Sequence, residues 1–74
     1  MEILIRSKEE DTGIVYTYLI SREEAEQIVE ERSAYIEIDG GYVMFSGEKV
    51  VIKKQGAPAS LNKQEVIRQI EDQL

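Results

Sequence analysis

The chain has no histidine and no cysteine, so the commonest general base, the thiolate nucleophile and the soft metal ligands are all missing. Any chemistry must come from carboxylates, hydroxyls, lysines, arginines and backbone groups. Five serines supply hydroxyls, but activating one without histidine needs a lysine or carboxylate base that no motif in the sequence assigns to it. Glu9, Glu10 and Asp11 are consecutive carboxylates without the spaced oxygens and central glycine of a calcium loop, so no metal site is expected. No glycine-rich loop with its lysine, and no glycine fingerprint between a strand and a helix, points to a nucleotide. No cofactor is expected.

Asp11-Thr12-Gly13 matches the triplet of the aspartic-protease active site, in which two such carboxylates share a proton to activate water. In that family the triplet follows an apolar strand and a later apolar-apolar-glycine segment supports it. Here it follows Lys8-Glu9-Glu10 with no later counterpart. A dimeric carboxylate hydrolase on Asp11 is therefore the weakest of three readings, since Asp, Thr and Gly are ordinary turn formers. The chain is read as a non-enzyme.

The net charge of −6 is unevenly spread. Residues 1 to 39 hold eleven acids against four basic residues, a balance of −7, whereas residues 40 to 74 hold four acids against five, a balance of +1. That field repels nucleic-acid phosphates, so direct DNA or RNA binding is not expected and a protein partner is. No apolar run is long enough to cross a membrane. Met1 to Arg6 lacks the pattern of a secretory leader, which with the absent cysteines places the chain in the cytoplasm, in the compact acidic style of bacterial or phage proteins.

The elements that would carry a binding surface follow from periodicity. Ile3 and Ile5 alternate with Leu4 and Arg6, and Ile14 to Ile20 is a β-branched and aromatic run, so both segments read as strands joined by the polar Ser7 to Gly13. Ser21-Arg22-Glu23-Glu24 is a capping box that starts a helix, with Ile20 and Ala25 as its staple. Three antiparallel strands are expected between Ala34 and Lys54. A two-residue turn at Gly40-Gly41 sets Ile38 opposite Val43 and Ile36 opposite Phe45, and one at Gly47-Glu48 sets Phe45 opposite Val50 and Val43 opposite Ile52. Gln55 to Ala59 reads as a loop. Asn62-x-x-Glu65, with Leu61 and Val66 as staple, opens a second helix whose Val66, Ile67, Ile70 and Leu74 lie along one side. The expected fold is one α+β domain over residues 1 to 74, in the order β-β-α-β-β-β-α. It is a two-layer arrangement of about five antiparallel strands with two helices on one face.

Period-two alternation then sends Tyr35, Glu37, Tyr42, Met44 and Val51 to the uncovered face. The second strand is ambiguous, because Val15, Thr17 and Leu19 compete with Ile14, Tyr16, Tyr18 and Ile20. Placing Val15 and Leu19 inward keeps tyrosine hydroxyls out of a small core and gathers all four tyrosines on one face. The leading expectation is a small binding or regulatory protein that uses Tyr16, Tyr18, Tyr35, Tyr42 and Met44 to pair with itself or with another protein. The alternative is an acidic decoy that presents Glu23, Glu26 and Glu30 of the first helix to a basic nucleic-acid-binding protein. A solvated helix face also accounts for those acids. Lys49, Lys53, Lys54, Lys63 and Arg68 form a modest basic area, explained more simply as charge that discourages edge aggregation.

Overall fold

The computed structural model describes residues 1–32 and 34–74. The elements are β1 (Glu2–Lys8), β2 (Val15–Ser21), α1 (Arg22–Glu31), β3 (Ile36–Ile38), β4 (Gly41–Ser46), β5 (Lys49–Lys54), β6 (Ala59–Asn62) and α2 (Lys63–Gln73). The α+β class and the element order agree with the sequence reading, with one strand more. The strands form two antiparallel sheets, the hairpin β1-β2 and the meander β3-β4-β5-β6.

β6 lies in what reads as loop and helix approach. Ala59 and Leu61 are buried opposite Ile52 and Val50, so they complete the sheet's inner face. Alanine and serine are weak β-formers, and Leu61 also serves the helix start, which is why the short alternation is hard to see.

The Gly47-Glu48 turn has the expected register, with Phe45 opposite Val50 and Val43 opposite Ile52. The preceding turn is Asp39-Gly40, which sets Ile36 opposite Val43 and Ile38 opposite Gly41. That shift is two residues, so every side chain keeps its expected face. Gly40 holds the turn at φ +84°, and Gly41 sits so close to β5 that a Cβ there would collide with the Lys53 carbonyl oxygen. The turn requires the first glycine and the backbone contact requires the second.

The Ser21 box is formed in full: the Glu24 N–H donates to Ser21 Oγ at 3.1 Å, and the Ser21 N–H to Glu24 Oε1 at 2.9 Å. α1 ends on Arg32 in the left-handed region (φ +47°), whose N–H donates to Ile28 O and whose Nε donates to Val29 O. Asn62 caps α2 by accepting the Glu65 N–H at 2.9 Å. Ile3, Ile5 and Ile20 of the hairpin, Ala25 and Ile28 of α1, and Val66 and Ile70 of α2 share one core with the inner face of the meander.

The parity of β2 corrects the sequence reading. Ile3 lies opposite Ile20 and Ile5 opposite Tyr18, and residues directly opposite share a face. Burying Ile3 and Ile5 therefore turns Tyr18 and Ile20 inward, at 7% and 1% exposure, and leaves Val15 and Leu19 outside at 49% and 47%. Ile20 must also face the core as the residue before the α1 cap. The Tyr18 hydroxyl finds a partner in the Ile52 carbonyl at 3.4 Å, which removes the objection to an inward tyrosine. Among the described residues, no helix is long and apolar enough to cross a membrane.

Candidate functional site

β3 to β5 carry the candidate binding face on their outer side. Alternation buries Ile36, Ile38, Val43, Val50 and Ile52 and so projects Glu37, Tyr42, Met44 and Val51 the other way. The registers arrange these in two rows: Glu37, Tyr42 and Lys53 across the sheet, then Met44, Val51 and Ser60 beside them. Tyr35, just before β3, lays its ring on that of Tyr42, with centroids 5.6 Å apart and planes 26° from parallel. Tyr35 is 54% exposed, Met44 is exposed and Tyr42 is half-buried. The result is an aromatic and thioether strip flanked by one acid and one lysine. Such a surface suits contact with another protein, because aromatic residues and methionine concentrate at interface centres.

Tyr16 and Tyr18 do not join this strip. They stack on each other, with centroids 6.2 Å apart and planes 3° from parallel, on the core side of the hairpin. Burial raises the Tyr18 phenol above its ordinary pKa, with smaller contributions from Tyr16 and Glu9. The expected four-tyrosine face is thus two separate pairs, because β1 dictates the parity of β2.

Glu23, Glu26 and Glu30 are exposed along one stripe of α1. Arg22 approaches Glu26 at 4.0 Å, and Arg32 at the far end pairs with Glu71 of α2 at 3.5 Å. Glu24 has a different role from its neighbours. Its second oxygen accepts the Asp39 N–H at 2.7 Å, which ties the start of α1 to the β3–β4 turn. Burial pushes its carboxyl up, but the hydrogen bonds from the Asp39 and Ser21 N–H groups and the Ser21 hydroxyl, with the nearby Lys54 charge, outweigh that and hold it below the usual glutamate value.

The Asp11 triplet is built as a turn. The Thr12 hydroxyl donates to Glu9 Oε1 at 2.9 Å and accepts the Ile14 N–H at 3.2 Å, and Gly13 (φ +73°) donates its N–H to Glu9 O at 2.8 Å. Glu9 Oε2 accepts the Ser60 N–H at 2.9 Å, so this acid connects the hairpin loop to β6. The bonds from Ser60 and Thr12, together with the Lys49 charge, lower the Glu9 pKa despite some desolvation. Among the described residues no group of three acids converges as a metal cage.

Two features had little warning in the sequence. Gln69 and Gln73, four residues apart on α2, bond the backbone of β1; their spacing is the only signal that could have paired them. A groove of about 350 Å³ runs between β2 and the segment Lys54 to Ala57. No protein-family model, curated protein or solved structure matches the chain.

Proposed function

We propose that the chain is a small non-enzymatic, cytoplasmic protein-binding or regulatory module that docks another protein on the outer face of its four-stranded sheet. The observation that carries this reading is the strip of stacked Tyr35 and Tyr42 beside Met44, with Tyr35 and Met44 exposed and Tyr42 half-buried, while both helices and the hairpin pack on the opposite side. Contiguous apolar surface of this kind marks contact sites. The frame of Glu37 and Lys53 would orient a partner.

Affinity capture from native extract, with the chain and its Tyr35→Ser/Tyr42→Ser double variant side by side, tests the proposal. Retention of a defined protein by the first and not by the equally stable second supports it; equal retention by both removes it. The acidic stripe Glu23, Glu26 and Glu30 supports a second reading, that of a decoy for a basic nucleic-acid-binding protein. That reading requires affinity that falls steeply with salt and is lost on charge reversal at Glu26 and Glu30.

A further inference from the structure

The two sheets have four edges, and a bare edge offers unpaired N–H and C=O groups to any passing strand. Three are guarded. The outward backbone groups of Leu4 and Arg6 on β1 are taken by Gln73 and Gln69. On β6 the Ser60 N–H donates to Glu9. β3 is three residues long, and Asp39 just beyond it donates its N–H to Glu24. β2 is the exception: seven residues with no proline and no charge, and with Val15 and Leu19 exposed.

Because Leu4 and Arg6 direct their backbone groups toward α2, the hydrogen-bonded pairs between β1 and β2 are Ile3 with Ile20, Ile5 with Tyr18, and Ser7 with Tyr16. The N–H and C=O groups of Val15, Thr17 and Leu19 therefore point away from β1, to the side where β2 has no neighbouring strand among the described residues. The groove lined by Tyr16, Tyr18 and Lys54 to Ala57 runs along this edge.

Ile14-Val15-Tyr16-Thr17-Tyr18-Leu19-Ile20 reads nearly the same in both directions about Thr17. We propose that β2 is a homodimerisation edge, on which a second copy of the chain pairs antiparallel about a twofold axis through Thr17 and joins the two hairpins into one four-stranded sheet. In that register Val15 meets Leu19 of the second copy, Thr17 meets Thr17, and the outward backbone groups of all three residues are paired. A twofold interface must complement itself, and a palindromic strand does so residue by residue; an unrelated partner strand would not require the palindrome. Charge favours the same occupant. Thr12 to Ser21 is the longest uncharged stretch of a chain with net charge −6, so two copies meet there with the least repulsion. On the outer face Leu4 lies opposite Leu19, and the pairing extends this row to Val15 of the second copy.

Sedimentation equilibrium of the whole chain, from about 1 μM to about 1 mM, reads the association directly. The expected mass rises with concentration from 8.5 kDa toward twice that, while amide exchange slows at Val15, Thr17 and Leu19. Thr17→Pro removes an outward N–H without removing a β1–β2 hydrogen bond, and Val15→Lys adds a charge at an exposed edge position; each weakens the dimer roughly tenfold or more. Val15→Lys keeps the test sound should the proline unfold the hairpin. A single-chain mass throughout overturns the proposal, as does a dimer indifferent to Val15→Lys or one in which those three amides exchange freely. Tyr35→Ser/Tyr42→Ser leaves this dimer intact, so its failure and that of the sheet-face reading are separable.

Discussion

The side-chain amide of Gln73 pairs with the backbone of Leu4 as a neighbouring strand would: the Leu4 N–H donates to Oε1 at 2.9 Å, and Nε2 donates to the Leu4 carbonyl at 2.6 Å. Gln69 repeats the arrangement one helical turn earlier with Arg6, at 2.8 and 2.7 Å. A glutamine amide has the donor and acceptor of a peptide group, and residues four apart on a helix share a face. α2 thus closes the outer edge of β1 with side chains.

Replacing Gln69 and Gln73 with leucine removes the four hydrogen bonds to β1 and bares this edge. At a net worth of roughly 1 kcal/mol per bond, discounted for exposure, each single variant loses about 1 kcal/mol in urea denaturation. The double variant also aggregates at concentrations where the parent stays clear.

Gly41→Ala drives a methyl into the Lys53 carbonyl and forces β4 from β5, at a cost of about 3 kcal/mol or more. Gly56→Ala, with open space around it, changes stability by less than about 0.5 kcal/mol. Thermal unfolding of the two variants should separate them clearly.

Glu24 is held below its ordinary pKa in the fold. The stability from its ionised form is therefore present above the unfolded value, about 4.3, and lost as pH falls through the lower folded value. Glu24→Gln should be less stable than the parent at pH 7, and the gap should narrow below about pH 4. A gap that is constant with pH would contradict the role given to the carboxylate.

Tyr18 has the opposite linkage. Its raised pKa means that the neutral phenol is preferred in the core, so stability falls as pH rises past the unfolded value of about 10. Tyr18→Phe should flatten this alkaline decline, at a cost of up to about 1 kcal/mol at neutral pH for the bond to Ile52. Denaturation midpoints from pH 8 upward read both effects.

Ser7 Oγ is buried with no hydrogen-bond partner among the described residues. A buried unpaired hydroxyl costs on the order of 1 kcal/mol or more, so Ser7→Ala should be neutral or stabilising by up to about 1 kcal/mol. A clear loss of stability would show that the hydroxyl is satisfied in solution.

Local rules determined much of this protein from its sequence. The Ser21 and Asn62 caps, the Gly47-Glu48 turn and the period-two faces of β4 and β5 depend on neighbours a few residues away, so they could be read directly. Tyr35, Tyr42 and Met44 share a face for the same reason. The inward turn of Tyr18, the burial of Ala59 in β6, the link from Glu24 to Asp39 and the glutamine cover on β1 were decided only by tertiary packing. β2 is apolar on both faces, and only its pairing with Ile3 and Ile5 makes one of them the core. The glutamines, 63 and 69 residues from the backbone groups they bond, are brought there by the docking of α2. Periodicity states which residues can share a face; the choice of buried face belongs to the element packed across from it.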